Sequence, residues 1–557
     1  MATGTLGIAL TGLAAAQAGI RTTQHNISNI NTAGFRRQEV GYEALGANFY
    51  GTAFYGSGVG VSTVRNLYSQ FQDSQVLLNQ TQLSRNESYA TQATQIDKLV
   101  GDTNSGLTSA FDAFYTAMQT VASDPTSNAA RQVMLSTGRN LASRFNTLST
   151  ALNDIRVDSN REVSATVGRI NTFASQIADV SGNIARAESS TGQPANDLRD
   201  QRDQLVAELN KMINVTTVQQ GDGAFNLFVG SGQPLVVGSS VSQMTTVADE
   251  DHPEFLVPAL SLPGGAKQPL DTSMISGGSL GGLLAVREEV LLPAMLDLDR
   301  LALAFSDQFN AQHVAGFDKL GNAGSNFFTD AVTLSPYLQP AADTGNGGTL
   351  SLSATLDDTT LIQASDYELS FDGLNYTLTR LSDGVSSSDP TLAAVTTLGG
   401  AAQGFTLVDG GGVPNAGDRW LVRPSRAAAG SLQALLGDPN LITASASAAG
   451  SPGNNQNALL LASLQTATNT VAGSSGFASA YTQMVARTAT LASEADIGVA
   501  AYETLTAQSR QAQQSISGVN LDEEAANLIR FQQAYQASAK AMQVASSLFD
   551  ELIGILR

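Results

Sequence analysis

The sequence predicts a multidomain α+β protein in which long terminal coiled-coil-like helices and a helical rod domain carry inserted, mainly-β domains. Leu521, Leu528, Tyr535, Met542, Phe549 and Leu556 stand at a strict spacing of seven near the C-terminus, and Leu6, Leu13, Ile20 and Ile27 repeat that spacing near the N-terminus. A seven-residue apolar period is the seam of a helix lying along other helices. Between these ends, β-branched runs flank Asp222-Gly223, and YELSF and LNYTLTRL flank Asp372-Gly373; Asp-Gly between apolar runs is a strong hairpin signal.

The N-terminal series has companions at +3 in Ala9, Ala16 and Ile30, and Gly4, Gly7, Gly12, Ala14, Ala15, Ala18 and Gly19 allow helices to approach closely. A helix so rich in small residues is marginal alone and is expected to order on packing. NISNINTAGF at 26–35 ends it, through its Asn/Ser/Thr density and Gly34. Residues 41–66 contain GTAFYGSGVGVSTV and read as a loop with short strands; Phe71, Leu77, Leu78, Ile96 and Leu99 mark a helix over 70–100.

Helices follow over 106–150, split by SDPTSN. A further long amphipathic helix is expected over 152–190, where Val163, Ile170, Ile177 and Ile184 are seven apart with Phe173 and Val180 at +3. After a TGQP turn, NDLRDQRDQLVAELNKM continues as helix through Leu198, Leu205 and Met212. A first β region starts near 213, a helix returns at 280–315, a second β region includes YELSF, LNYTLTRL and GDRWLVRP, and helical pattern runs from 452 to the end. The expected division is 1–100 with 500–557 as the terminal helical unit; 101–212, 280–325 and 430–499 as the rod; 213–279 as the first β region; and 326–429 as the second. The C-terminal helix has a companion face of Ala525, Phe531, Ala539, Ala545 and Leu552. At roughly 38 residues, or about 57 Å, it needs a partner along its length, and the N-terminal heptad segment is the obvious candidate.

Composition narrows the function. The chain carries 29 Lys and Arg against 49 Asp and Glu, a formal charge of −20, which argues against binding nucleic acid. The acidity is central: residues 1–100 are net +1, 101–436 net −17 and 437–557 net −4. Near-neutral ends associate, whereas a charged middle stays solvated. With no Cys there are no disulfides, thiolate metal sites or Cys nucleophiles, and the three His are scattered. No run of 18 apolar residues predicts membrane insertion, and the N-terminus lacks the basic segment of a cleaved leader.

Candidate chemical motifs have structural explanations. GSGVGV at 56–61 lacks the strand-to-helix context of a phosphate loop and reads as a turn. Asp249, Glu250, Asp251, His252 and Glu254 lack the Gly-centred spacing of a calcium loop and read as a solvated acidic loop, as does Asp357-Asp358. His25 has no local nucleophile or orienting carboxylate and reads as a structural or interface residue. Catalytic residues, metal ligands and cofactors are therefore not expected. The terminal heptads fit either an internal bundle or packing between molecules.

NISNINTAGFRRQ at 26–38 resembles the N-terminal signature of the flagellar axial proteins of rod, hook and hook-associated type, and GVNLDEEAANLIRFQQAYQASAKAMQVASSLFDELIGIL at 518–556 resembles their C-terminal helix. FYGSGVGVSTVRNLYSQFQDSQV (54–76), DLRDQRDQLVAELNKMINV (197–215) and FVGSGQPLV (228–236) are similar to the hook-associated branch that joins hook to filament. The resemblance implies a structural junction protein forming a ring of its own copies, with hook protein on one side and a second junction protein or filament-side subunits on the other. It also implies unfolded passage through the flagellar type III export apparatus without a cleaved signal, an export chaperone, and an extracellular location. Its implied interface residues are Leu6, Leu13, Ile20 and Ile27 on the first helix, and Leu521, Leu528, Phe531, Tyr535, Met542, Phe549 and Leu552 on the last, which also serves the chaperone. The family turn motif falls on Asn26, Ser28, Asn29, Thr32, Gly34 and Phe35; this chain has Ala33, Phe35 and Arg36 where the family usually has Pro, Tyr and Ser. A hook or distal rod protein, or an axial protein with an adhesive or hydrolytic insert, are the alternative readings.

Overall fold

In the computed structural model, which describes residues 2–50, 53–102, 106–219, 225–230, 232–262, 264–473 and 475–555, the two ends of the chain pack together. Helix α1 (Ala2–Ser28) lies along α13 (Leu521–Ile555). Gly12 meets Ser538, Gly19 meets Phe531 and Asn26 meets Glu524, so the pair is antiparallel. An antiparallel ribbon of β1 (Gln38–Ala44) and β4 (Val59–Asn66) runs along α1, and its far end carries a hairpin of β2 (Asn48–Tyr50) and β3 (Ala53–Tyr55). Within GSGVGV, Gly58 turns at φ +112° against Thr11 and the backbone of Ile8, where a side chain would clash.

A helical body follows: α2 (Gln70–Val100), α3 (Leu107–Ser123), α4 (Asn128–Thr191) and α5 (Asn196–Asn210). The helices expected over 128–150 and 152–190 are one continuous α4 of 64 residues, about 96 Å long at 1.5 Å per residue. No Pro interrupts it, and its interior Gly138, Gly168 and Gly182 lower helix propensity without breaking the hydrogen-bond ladder. Ser127 caps its start, accepting from the Ala130 amide at 3.2 Å, and Gly192 ends it at φ +65°.

The first β region holds two antiparallel sheets. One takes β5 (Val215–Gln219), β6 (Phe225–Val229), β7 (Gln233–Val237) and β8 (Ser240–Val241) in that order; the other takes β9 (Met244–Ala248), β10 (Leu256–Ser261) and β11 (Lys267–Pro269). The β5–β6 pairing matches the hairpin expectation, while its Asp222-Gly223 turn lies outside the described residues. Leu227, Val236 and Leu260 form a core with Val163, Ile170 and Ile177 of α4, so the heptad stripe of the long helix is covered by the β sheets.

The chain returns through α6 (Gly278–Val286), a π-helical turn at Arg287–Leu291, α7 (Leu292–Val314) and the single turn α8 (Ala331–Leu334). Phe111, Phe114 and Phe145 meet Phe305, Phe309, Phe327 and Phe328 in a fully buried aromatic cluster, with edge-on pairs such as Phe111–Phe305 at 5.2 Å.

The second β region is a five-stranded antiparallel sheet ordered β12 (Ala341–Ala342), β20 (Arg419–Val422), β14 (Tyr367–Phe371), β15 (Tyr376–Arg380), β16 (Ser386–Asp389). Beside it lie the pairs β13 (Leu352–Leu356) with β19 (Phe405–Asp409) and β17 (Thr397–Leu398) with β18 (Ala401–Ala402), and the turn α9 (Leu392–Val395). Asp372-Gly373 makes the predicted β14–β15 turn, with Gly373 at φ +103° and the Asp372 amide donating to Asn375 O at 3.1 Å. Short helices α10 (Ala428–Ser431) and α11 (Gln456–Ser463) lead to α12 (Phe477–Ser517), which packs along α2. The helical pattern expected from 452 is realised as α11 and α12 separated by a turn, where Asn469, Ala472 and Gly473 take positive φ incompatible with a right-handed helix.

Candidate assembly interface

The α1/α13 seam is built from small residues. Ala9, Ala15, Ala16, Gly19, Thr23 and Asn26 are the buried positions of α1. A Cβ on Gly19 would stand 2.6 Å from the Phe531 ring, so the glycine is what lets this ring lie against the α1 backbone. The expected stripe of Leu13, Ile20 and Ile27 lies at the edge of this contact, half-buried, and Leu6 is 40 % exposed. On α13, Leu528, Phe531, Tyr535 and Met542 are half-buried; Leu521 and Phe549 are 52 % and 44 % exposed, and the Leu552 side chain and Leu556 lie outside the described residues. Ile529, Val544 and Leu548 form a further exposed apolar row that the heptad count did not single out, because they fall between its positions. Intramolecular packing thus consumes the small-residue face and leaves large apolar side chains outward on both helices.

The turn after α1 ties this pair to the body. Asn26 Oδ1 accepts from the Gln38 amide and its Nδ2 donates to Gln38 O, both at 2.9 Å, while Nδ2 also reaches Glu524 Oε2 at 3.1 Å. Asn29 donates to His25 O at 3.0 Å and accepts from Thr32 Oγ1 at 3.1 Å; Ser28 is exposed. Gly34, at φ +79°, lies where a Cβ would stand 2.8 Å from Gln204 Oε1. Phe35 meets the His25 ring edge-on at 5.3 Å, and His25 Nε2 is 3.2 Å from Asp197, so this histidine is a packing element between α1 and α5.

Arg36, one of the departures from the family pattern, enters a cage of aspartates. Its amide donates to Asp200 at 3.0 Å; its guanidinium pairs with Asp73 at 2.9 Å and with Asp203. Burial pushes the Asp200 carboxyl up to about 6, against the opposing pull of the Arg36 amide and guanidinium. Arg37 pairs with Glu523 at 2.7 Å and Glu524 at 2.8 Å. A cleft of about 1610 Å³ lies between this turn, α5 and the α12–α13 connection. Several of the charges that line it are ion-paired, as in Arg199–Glu188, Lys211–Glu208 and Arg202–Asp203. The cage was not legible in sequence, since its acids lie 37 to 167 residues from Arg36.

Among the described residues, His252, Glu254 and Asp366 form a group with metal-ligand proximity. The Arg426 guanidinium stands 3.0 Å from Glu254 and 2.5 Å from Asp366, so a cation of the chain already bridges the two carboxylates. The loop expected to be solvated is instead an ion-pair junction: His252 and Glu254 are half-buried, and its partners Arg419, Arg423 and Arg426 come from much later in the chain.

Residues 93–328 match the helical domain of the flagellar hook-associated protein FlgK, 341–424 the D2-like domain of flagellar hook-associated protein 1, and 510–555 the C-terminal region of the flagellar basal body rod FlgEFG proteins. Terminal helices of rod-protein type around hook-associated inner domains define a flagellar hook-associated structural protein. The chain is 34% identical to flagellar hook-associated protein 1 of Escherichia coli over 98% of both chains, and 34% identical to that of Salmonella typhimurium over 98% of this chain and 99% of that protein. The flagellar hook junction protein FlgK of Burkholderia pseudomallei superposes with a TM-score of 0.71 at 27% identity, covering 80% of this chain and 100% of that one. The chain belongs to the flagellar hook-associated protein 1 family.

Proposed function

We propose that this protein is the subunit of the ring that joins hook to filament, and that it works by packing rather than by chemistry. The observation that carries this reading is the leftover apolar surface of the terminal pair: Leu6 and Leu10 on α1, and Ile529, Val544, Leu548 and Phe549 on α13, all at least 40 % exposed after the two helices have packed. Covering such side chains in neighbouring copies at ~25 cal/mol per Å² would contribute on the order of ten kcal/mol per subunit before ordering costs. Leu13, Ile20, Ile27, Leu521, Leu528, Phe531, Tyr535 and Met542 border these rows and belong to the same interface. The partners are further copies, the hook protein, and a second junction protein or filament-side subunits. The C-terminal helix also binds an export chaperone before passage through the type III apparatus to the cell exterior. The terminal helices act as the inner layer, the helical body as the next, and the two β regions face outward. No helix of the described residues is long and apolar enough to cross a membrane.

Electron microscopy of hook–basal bodies from a strain lacking the protein tests this reading. Hooks without filaments, restored by this chain, are expected; filaments of normal number on the deletion strain would overturn it.

A further inference from the structure

The loop between β9 and β10 connects two bodies by two kinds of contact. Its sheet packs in the core formed with α4, yet Phe255 at the loop's end is buried in the aromatic-rich main core, with the Arg287 guanidinium 4.6 Å from its ring centroid. The loop backbone is pinned to α4: Asn160 Nδ2 donates to Glu254 O at 2.8 Å, the Leu256 amide donates to Asn160 Oδ1 at 3.0 Å, and Arg156 also donates to Glu254 O. Asp249 shapes the turn by accepting from the Asp251 and His252 amides at 2.9 and 3.0 Å. On the helical side the loop is held by backbone hydrogen bonds, while Phe255 sits in a core that the helices share with Tyr367, Leu369 and Trp420 of the five-stranded sheet.

Toward the five-stranded sheet its polar contacts are charge against charge. Arg419 of β20 lies 3.0 Å from Glu250 and 3.8 Å from Asp251; Arg423 lies 3.4 Å from Glu254; Arg426 lies 3.0 Å from Glu254; and His252 Nδ1 lies 3.2 Å from Asp366, just before β14. These pairs are graded. Glu250, Asp251 and Arg419 are well exposed and open to screening, whereas Arg426 and Asp366 are buried. Two of these three cations also have an acidic partner on the sheet side: Arg419 pairs with Glu368 and Arg426 with Asp366. Taking away the loop's charges therefore leaves no orphaned arginine at these two positions.

We propose that residues 249–256 form a strap that sets the angle of the outer β unit (341–422) on the helical body. The strap is fixed at the body and paired by charge with the outer unit, so ionic strength and the loop's charges trim the angle of a unit whose base also packs in the shared core and whose Thr359 donates to Asp307 of α7 at 2.7 Å. This is a conformational device in the joint between two bodies, separate from the terminal interface.

The chain has no Cys, so two introduced cysteines are unique label sites in the full-length protein. Ser143→Cys on α4 and Leu374→Cys at the β14–β15 turn are exposed positions. Spin-label distance distributions are compared between this double-cysteine parent and the same protein carrying Glu250→Gln, Asp251→Asn and Glu254→Gln. The expected result is a distribution about twofold broader in the variant, and a parent distribution that broadens between about 0.05 M and about 1 M NaCl while the variant's does not. Distributions that superimpose at both salt concentrations would overturn the proposal. If the variant fails to fold by circular dichroism, the parent's salt response decides alone: no change contradicts the strap.

Discussion

Asn26 and Glu524 are separated by 498 positions in the chain and hydrogen-bonded at 3.1 Å in the fold. Glu524 is 2 % exposed and is also held by Arg37 Nε at 2.8 Å, so one carboxylate joins the first helix, the turn after it and the start of the last helix. Glu524→Ala would leave the Arg37 guanidinium and the Asn26 amide without this partner, at a cost of about 2–4 kcal/mol to the terminal pair. Hydrogen exchange on peptides from α13 should show lost protection over 521–535 with the helical body unchanged. Undiminished protection would mean that the contact is incidental.

Glycine positions on α1 predict opposite outcomes. Gly19→Val drives a side chain into the Phe531 ring and should separate the helices, whereas Gly4 and Gly7 face open space. Gly7→Ala should therefore be neutral or raise helicity, by up to about 1 kcal/mol from propensity. Circular dichroism and exchange protection of α13 distinguish the two; equal behaviour would refute the close-packed seam.

His313 makes the helical body sensitive to acid. Its Nδ1–H donates to Ser325 O at 2.6 Å and Nε2 accepts from the Thr443 amide at 3.2 Å, which only the neutral ring can do. Burial lowers its pKa from 6.5 to about 4. Because the folded value is depressed, its contribution is present above about 6.5 and is lost as pH falls toward 4, on the order of 3 kcal/mol. Asp299 acts in the opposite sense: burial raises it to about 6, so its contribution is present at low pH and is lost as pH rises from about 4 to about 6. Urea unfolding of His313→Gln should show a shallower loss of stability between pH 6.5 and about 4 than the parent. Parallel profiles would rule out this role.

Arg131 is 1 % exposed and donates to Pro125 O at 2.8 Å, Ile442 O at 2.5 Å and Pro439 O at 3.4 Å, tying the start of α4 to the 439–442 turn. Arg131→Met keeps volume but strands these carbonyls and should cost about 3 kcal/mol, read as a lower melting midpoint. Thermolysin, which cuts before Leu and Ile, should then cleave at Leu441-Ile442 sooner than in the parent, and an unchanged digestion rate would argue against the tie.

Local patterns in the sequence marked the long helices, the Asp-Gly turns and the pairing of the two ends, because period and turn chemistry are properties of a few neighbouring residues. The face used in that pairing was less legible. The largest apolar side chains of α1 stand at the heptad positions, but van der Waals approach favours its glycines and alanines, so Ala16 and Gly19 take the seam and Leu6 stays outward. The 249–254 loop was misread because an acidic run looks the same solvated or paired, and Arg419, Arg423 and Arg426 lie about 170 residues away. The continuity of α4 was missed because a long heptad stripe invites division at the change of packing partner, from the aromatic core to the β sheets, where the backbone continues unbroken.

The central claim is that the terminal helices do the assembling and the middle of the chain folds without them. Deleting residues 521–557 and examining the cells by electron microscopy tests it most directly, with circular dichroism of the purified variant in parallel. The hooks should end without filaments while the middle units keep their secondary structure. Filaments of normal number and length on cells carrying only the truncated protein would contradict it.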